Sequence, residues 1–421
     1  MSIRIAPILV LALSLFACGG ESTPPPPATP APQAQEALPE PDDLPQGLVL
    51  ALAQFVTKDG KPVPGPARLE FLTRQDGAWQ TSELEDPDGN VFHKAMVYDA
   101  GDGPVLLTMA GSRAAVKAWR SGDAGLVPET VWEEDFGGRF SRMRDAEVGD
   151  LFGDGGAAIA VATHDQGVVS VLRPQADGFS VTEIDRKPDT FVHEIEIGDV
   201  DGDGALEVYA TPSEPNRLDG SPQSGAVVRY VPSRGEGPTV VADLGHRHAK
   251  EILVEDVDGD GRDELYVSVE GHMANKQLVD PVEIRRYEAD TPPDAGEVIA
   301  TLDDRLTRFL TAGDVDGDGN KELVAATFKQ GVWLLRPASG GGAWGSEQLD
   351  ADSGGFEHAA ILTDLDGDGT DELYVASDDD KEVRRYRWVD GRAVRDTIYV
   401  RPDDRPIFTW NLMPVPLELV P

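Results

Sequence analysis

The chain has 421 residues, of which 76 are Asp or Glu and 37 are Lys or Arg, so its net charge at neutral pH is −39. A surface this acidic excludes nucleic acid and anionic membrane surfaces as electrostatic partners. The single cysteine excludes disulfides and thiolate metal sites from the folded part.

Residues 1–17 have the pattern of an export signal. Arg4 precedes a mostly apolar run over residues 5–17, which is too short to span a bilayer and has the length of a signal-peptide core. The run ends in Leu15-Phe16-Ala17-Cys18, which resembles the lipobox of bacterial lipoproteins. This resemblance implies cleavage before Cys18, acylation of Cys18 and, because Gly19 follows, sorting to the outer membrane. The alternative is an ordinary signal followed by an incidental cysteine.

Residues 18–47 are predicted to be a disordered tether. Nine prolines lie between Pro24 and Pro45, among Ala, Glu and Gln, and such a composition cannot bury a core. The folded domain is therefore expected over residues 48–421, held away from the membrane by an extended segment.

An acidic nine-residue pattern, Asp-x-Asp-Gly-Asp-Gly-x-x-Glu, organises this domain. Four full copies and two degenerate ones recur every 49–58 residues, a period typical of propellers and solenoids. The full copies begin at Asp199, Asp256, Asp314 and Asp364, and the degenerate ones at Asp99 and Asp150.

The spacing within the pattern favours a calcium site. Carboxylates at positions 1, 3, 5 and 9 and the carbonyl of position 7 are oxygen ligands that can converge on one hard cation. An EF-hand is disfavoured, because position 12 is apolar and the residues after each loop are typical of a strand. The alternative is an Asp-Gly-rich turn that holds no ion.

The strands between the loops predict an all-β fold, a seven-bladed propeller of four-stranded antiparallel blades. Six loops account for six blades, while an additional strand begins the chain at Leu48–Gln54 and another ends it at Phe408–Val415. The two ends together are predicted to build the seventh blade, which closes the ring and hides its open edges. Residues 48–421 give about 53 residues per blade. An open β-solenoid is the alternative.

These loops resemble the FG-GAP/VCBS repeats of integrin-α-type propellers and secreted bacterial proteins, over about residues 90–400 and most closely in the last four loops. The resemblance implies that each loop joins the first and second strands of a blade and binds calcium. The implied ligands are Asp199, Asp201, Asp203, Ala205 and Glu207; Asp256, Asp258, Asp260, Arg262 and Glu264; Asp314, Asp316, Asp318, Asn320 and Glu322; and Asp364, Asp366, Asp368, Thr370 and Glu372, with the residues at position 7 binding through their carbonyls.

No catalytic motif stands out, because the sequence lacks GxSxG, HExxH and phosphate-binding glycine loops. We therefore expect a non-enzymatic binding or adhesion module whose partner is a glycan or a protein. Two alternatives stay open: a carbohydrate-active enzyme similar to propeller-type polysaccharide lyases or sugar dehydrogenases, and a structural subunit of an outer-membrane assembly.

Basic side chains recur six residues before each first aspartate. They are His93, Arg144, His193, Lys250, Arg308 and His358, with Trp410 at the equivalent place in the last strand. Six strand residues span about 20 Å, so these side chains are expected to surround the channel mouth on the face opposite the loops. One interpretation is local pairing with acids such as Glu194 and Glu251. The other is an anion-binding site that the histidines strengthen below about pH 6.5.

Overall fold

The computed structural model describes residues 41–421 except 102, 112, 124, 138–140, 176–177, 215–221, 339–341 and 403–404. The expected signal peptide, Cys18 and residues 18–40 of the expected tether lie outside the described residues. None of the described segments is a helix long and apolar enough to cross a membrane.

The described part of the chain is built almost entirely of strands. In chain order they are β1 (Gln46–Lys58), β2 (Lys61–Pro64), β3 (Ala67–Gln75), β4 (Ala78–Asp86), β5 (Phe92–Tyr98), β6 (Val105–Ala110), β7 (Ala114–Gly122), β8 (Gly125–Glu134), β9 (Met143–Gly149), β10 (Ala158–Thr163), β11 (Val168–Gln175), β12 (Gly178–Arg186), β13 (Phe191–Gly198), β14 (Glu207–Ser213), β15 (Ala226–Val231), β16 (Glu236–Asp243), β17 (Ala249–Glu255), β18 (Glu264–Val269), β19 (His272–Ala274), β20 (Gln277–Asp280), β21 (Val282–Tyr287), β22 (Glu297–Leu302), β23 (Thr307–Gly313), β24 (Glu322–Thr327), β25 (Val332–Ala338), β26 (Gly342–Asp350), β27 (Ala360–Thr363), β28 (Glu372–Ser377), β29 (Glu382–Val389), β30 (Arg392–Val400) and β31 (Ile407–Pro416). A 3-10 turn, Leu417–Leu419, follows the last strand.

These strands form the predicted seven-bladed propeller of four-stranded antiparallel blades. From the innermost strand outward, the blades are β31-β1-β3-β4, β5 to β8, β9 to β12, β13 to β16, β17-β18-β21-β22, β23 to β26 and β27 to β30, and we number them 1 to 7 in that order. Each innermost strand contacts the innermost strand of the next blade around the ring. Two hairpins, formed by β2 with β1 and by β19 with β20, are additions that the repeat pattern did not predict.

Blade 1 contains both ends of the folded unit, as predicted. β31 pairs antiparallel with β1 from Gln46↔Pro416 to Gln54↔Ile407, and β1 continues the sheet into β3. The folded unit starts before residue 48, because Leu44 is buried and its N–H bonds the carbonyl of Arg74. The end of the expected tether is therefore part of blade 1.

The second strand of a blade is mostly apolar because it is buried on both faces. All six residues of β10, β24 and β28 are buried, because neighbouring blades cover both faces of these strands. The outer strands are exposed along much of their length, as in β12. The core lies between blades: one cluster joins Val324 and Leu334 of blade 6 to Leu373 and Tyr386 of blade 7.

Candidate functional site

The acidic loops lie at one end of the innermost strands, where each connects the first and second strands of its blade. Glycines at positions 4 and 6 give the sharp turn. In the loop of blade 4, Gly202 and Gly204 have φ values of +67° and +85°, a region that side chains with a Cβ rarely adopt. The loop between β13 and β14 is thereby folded back on its first aspartate.

The first aspartate of each loop organises the backbone. In blade 5, Asp256 accepts hydrogen bonds from the N–H groups of Gly259 and Asp260 through Oδ1, at 2.8 and 3.1 Å, and from Gly261 through Oδ2, at 3.0 Å. These bonds direct the other carboxylates toward the same side of the turn.

Within each loop the carboxylates converge. Four sets have ligand atoms within 4.8 Å of one another: Asp256, Asp258, Asp260 and Glu264; Asp199, Asp201 and Asp203; Asp314, Asp316 and Glu322; and Asp364, Asp366 and Asp368. Glu207, Asp318 and Glu372 lie outside these close sets. Because every donor is a carboxylate oxygen, the chemistry of the sets suits a hard divalent cation.

The glutamate at position 9 is a buried part of the loop. In blade 5, Glu264 Oε2 accepts hydrogen bonds from the Val257 N–H, at 3.3 Å, and from the Tyr266 hydroxyl, at 2.9 Å. Burial raises the pKa of the equivalent Glu207 and Glu322 carboxyls to about 7. This glutamate therefore holds the buried side of the loop through hydrogen bonds.

An arginine on the third strand of the blade pairs with the loop carboxylates, a contact that was not predicted from the sequence. Arg229 Nη1 lies 3.0 Å from Asp201 and 2.7 Å from Glu207. Arg336 Nη1 holds the corresponding pair of blade 6 at 3.0 and 2.6 Å, and Arg286 binds the pair of blade 5. The only sequence signal was the basic character of this strand. These arginines balance part of the charge of the loops of blades 4, 5 and 6.

Neighbouring loops are also joined to one another. Asp263 Oδ2 accepts the N–H of Asp199 from the preceding blade at 2.7 Å. Asp371 does the same for Asp314 at 2.9 Å, and Lys321 of blade 6 binds Glu255 of blade 5. These contacts link the loops of blades 4 and 5, of blades 5 and 6, and of blades 6 and 7.

The two degenerate loops keep the turn but not the set of carboxylates. Asp150 Oδ2 accepts the Gly155 N–H at 2.8 Å, yet position 3 is Phe152, whose ring lies 4.5 Å from the Arg173 guanidinium. Asp99 bonds the N–H groups of Gly101 and Gly103. Among the described residues, neither loop brings three ligands together.

At the opposite end of the channel is a cavity of about 290 Å³, which we call the basic mouth. It is lined by His93, Arg142, Arg144, His164, Phe191, His193, Lys250, Arg308, Phe356, Glu357 and Trp410. Five of the six basic residues singled out in the sequence thus converge here, together with Trp410. Arg142 and His164 are further members that lay outside the repeat register.

His358 is the exception: the prediction that it lines the channel mouth was wrong. Its ring is fully buried, with Nδ1 at 2.7 Å from the Thr327 carbonyl and Nε2 at 2.7 Å from Ser353 Oγ. β27 is short and the chain enters it with His358 at φ +52°, so Phe356 and Glu357 occupy the mouth instead.

Two cations of the basic mouth form no direct ion pair with a carboxylate of the described residues. Lys250 is 7% exposed, and no ion pair within 4.0 Å joins its ammonium group to another described residue. Burial and the nearby Arg308 guanidinium lower the pKa of Lys250 to about 8. Arg144 forms no such ion pair either and lies 5.0 Å above the Trp410 ring. In contrast, Arg308 binds Glu357 at 2.7 Å and Arg142 binds Asp165.

The mouth histidines behave differently from the sequence expectation. His193 is 2% exposed and its Nε2 is a buried polar atom without a hydrogen-bond partner among the described residues. Burial, reinforced by nearby cations, lowers the pKa of His93 and of His193 well below 6.5. Both imidazoles are therefore neutral at pH 6.5, so an increase in binding below that pH is not expected from them alone.

Carboxylates fill the channel beneath the mouth. A second cavity of about 170 Å³ is lined by Lys94 and by five acidic residues: Asp145, Glu147, Glu194, Glu196 and Glu251. Lys94 Nζ lies 2.9 Å from Asp145 and also binds Glu147. Burial and the neighbouring carboxylates raise the pKa of Glu194 and of Glu196 well above the usual value. Glu194 and Glu251 thus face the channel; the Arg144 charge acts on both, but no described ion pair within 4.0 Å joins either carboxyl to a mouth cation.

Aromatic side chains complete the mouth. Phe191, Phe356 and Trp410 line the cavity, and the Arg308 guanidinium lies 4.9 Å above the Phe356 ring. Trp79, Trp344 and Trp388 pack at the edges of core clusters between blades. The mouth thus combines unpaired cations with half-buried aromatic faces.

Comparison with known proteins supports the repeat and the fold. Residues 314–375, which contain the acidic loops of blades 6 and 7, match a family model described as an FG-GAP-like repeat. No curated protein matches the sequence.

Solved structures show the same architecture. A Bacteroides fragilis protein provisionally named 6-phosphogluconolactonase is 13% identical, with a TM-score of 0.53 over 88% of this chain and 98% of that one. A Bacteroides uniformis protein with the same provisional name is 12% identical, with a TM-score of 0.50 over 89% and 100%. A Lactobacillus plantarum protein is 10% identical, with a TM-score of 0.54 over 88% and 99%. At these identities the likeness shows the fold alone.

Proposed function

We propose that this protein is a calcium-stabilised, lipid-anchored propeller of the bacterial outer membrane that binds an anionic ligand at its basic mouth and catalyses no reaction. The observation that carries the proposal is the presence of Lys250 and Arg144 in one cavity, with no ion pair within 4.0 Å joining either to a described carboxylate. Burial and the Arg308 charge disfavour the Lys250 ammonium group, the Glu270 and Glu357 carboxylates offset this only in part, and an anionic ligand would add a direct counter-charge.

The lining favours a carboxylated glycan. Sugar rings present apolar faces that pack on aromatic side chains, and Phe191, Phe356 and Trp410 offer such faces beside the cations. Arginine binds a carboxylate through two parallel hydrogen bonds, a geometry available to Arg144. An acidic side chain of a partner protein presents the same carboxylate and is the second ligand source to test.

Calcium has a structural role in this proposal. The carboxylates of the four full loops would hold the ion, which would supply positive charge where three or four carboxylates lie within 4.8 Å of one another. The loops lie at the end of the channel opposite the mouth, and the links from Asp263 to Asp199 and from Asp371 to Asp314 connect them between blades. We therefore assign calcium to the stability of the ring and not to the ligand.

The binding proposal is tested by titrating calcium-loaded protein with an oligogalacturonate, and separately with a poly-glutamate peptide, in a calorimeter. Lys250→Met removes the charge while keeping an unbranched apolar stem, and should weaken binding about 10- to 100-fold, the range for losing one hydrogen bond to a charged group. Lys187→Met is the matched control, because Lys187 is exposed and lies outside the cavity.

Equal affinity of Lys250→Met and wild type for whichever probe binds would refute the assignment of the mouth. Absence of binding by both probes would refute the proposed ligand class. Production of unsaturated or shortened oligogalacturonate during the titration would overturn the non-enzymatic part of the proposal.

A further inference from the structure

The β19–β20 hairpin is an insertion in blade 5, between its second and third strands. His272 and Asp280 lie opposite one another at the base of this hairpin. His246 approaches them from the connection between β16 of blade 4 and β17 of blade 5. Three residues with metal-binding side chains thus meet at one point, although neither the acidic loops nor the mouth requires them.

Their ligand atoms are close enough to share one ion. His272 Nδ1 lies 3.0 Å and His246 Nε2 lies 3.8 Å from Asp280 Oδ2, and the three side chains offer ligand atoms that all lie within 4.8 Å of one another. The two imidazole rings are 5.7 Å apart, at 81° to one another. Ligands at about 2.0–2.2 Å from a tetrahedral zinc ion are separated by about 3.3–3.5 Å, so small side-chain rotations complete the geometry.

The charge around the cluster is compatible with a cation. Arg247 follows His246 and its charge acts on Asp280, but its Nη1 lies 3.0 Å from Glu283 Oε1, and its Nε and Nη2 donate to the carbonyls of Glu270, Val269 and Pro281. Glu283, which also binds Arg285, balances part of the Arg247 charge, and the hydrogen bonds of Arg247 hold the base of the hairpin in place. The carboxylate of Asp280 stays available to the two histidines.

We propose that His246, His272 and Asp280 form a binding site for a divalent transition metal of the zinc class. Imidazole nitrogens select zinc, nickel, copper and cobalt over calcium, which prefers oxygen ligands, so this site differs in kind from the acidic loops. His246 is exposed, and the three protein ligands leave a fourth position open to water or to an external group.

The proposed metal site lies close to the basic mouth. His248, two residues after His246, has its ring 6.4 Å from that of His193 in the basic mouth. A metal ion would fix the inserted hairpin to the connection between blades 4 and 5 at the rim of the mouth. The site does not depend on the proposed ligand, since its residues lie outside the mouth cavity.

The experiment is a titration of tag-free, calcium-saturated protein with Co²⁺ and with Zn²⁺, followed by visible absorption and by calorimetry. We expect one equivalent of Co²⁺ to give the intense absorption of a four-coordinate site and Zn²⁺ to displace it. His272→Ala should weaken binding at least about 100-fold, since loss of even an outer partner of a metal ligand costs 10- to 100-fold. His248→Ala is the matched control and should bind as wild type does.

His246→Ala is the second variant, because this exposed side chain can be removed without disturbing the core. Both His→Ala variants should melt as wild type does in the absence of transition metal. Weak, six-coordinate Co²⁺ spectra in wild type, or unchanged affinity in His272→Ala and His246→Ala, would overturn the assignment.

Discussion

Replacement of Glu251 by glutamine tests the electrostatics of the channel. Glu251 is 7% exposed, and its Oε1 accepts the Leu310 N–H at 3.1 Å. Burial raises its pKa to about 8; the Leu310 N–H bond opposes this shift and the Asp145 carboxylate adds to it. The positive charges of Arg144 and Lys94 also lower the pKa of Glu251. Glu194 lies close enough to interact electrostatically with both Asp145 and Glu251.

The sign of the effect on stability follows from this shift. A carboxyl whose folded pKa is about 8 and whose unfolded pKa is 4.5 binds its proton more tightly in the folded state. Its contribution to folding is therefore complete below pH 4.5 and is lost as the pH rises toward 8. The loss amounts to about 1 kcal/mol at pH 5.5 and about 4 kcal/mol at pH 8.

Glu251→Gln keeps the oxygen that accepts the Leu310 N–H and removes the titration, and its amide donates to the neighbouring carboxylates. The free energy of unfolding of the variant should thus exceed that of wild type by an amount that grows by about 3 kcal/mol between pH 5.5 and pH 8. Urea unfolding at fixed, saturating calcium measures this difference at each pH. Glu347→Gln, on the exposed part of β26, is the control and should show no pH-dependent difference.

A difference between Glu251→Gln and wild type that stays constant over this range would refute the assignment of a raised pKa to Glu251. A variant less stable than wild type at pH 8 would refute it more strongly, because it would mean that the ionised carboxylate stabilises the channel.

Three further predictions address the loops, the anchor and the closure of the ring. Chelation of calcium should lower the melting temperature by several degrees, since one site at 100 times its dissociation constant contributes about 2.7 kcal/mol. Asp256→Ala should reduce this shift in melting temperature, and Asp99→Ala should leave it unchanged. Identical melts with and without chelator would contradict calcium occupancy. Cys18→Ser should move the protein from the membrane fraction to the soluble fraction, and an unmodified mature N-terminus by mass spectrometry in wild type would contradict lipidation. Removal of residues 407–421 should abolish cooperative unfolding, because β1 loses its partner β31 and the innermost edge of blade 1 is exposed; a truncated protein that melts as wild type does would show that this closure is dispensable.

The sequence by itself determined the architecture and the acidic loops. Both depend on residues that are close together along the chain or that repeat at a fixed interval. The carboxylates of a loop lie within nine residues, so their spacing alone brings them together around Asp256 or Asp364. The interval between loops and the complementary strands at the two ends were sufficient to predict seven blades and the pairing of β31 with β1.

Only the tertiary structure decided which side chains meet across strands and blades. The partner of Glu207 is Arg229, one strand further out, and the hairpin that carries His272 and Asp280 breaks the repeat. The short β27 removes His358 from the ring and places Glu357 beside Arg308. The burial that lowers the pKa of Lys250 and raises that of Glu251 arises because the innermost strands of the seven blades converge on the axis. Such contacts join residues of different strands or blades, 22 positions apart for Glu207 and Arg229 and 49 for Arg308 and Glu357. They depend on strand lengths and on the rotation of each blade, which the periodicity of a sequence does not encode.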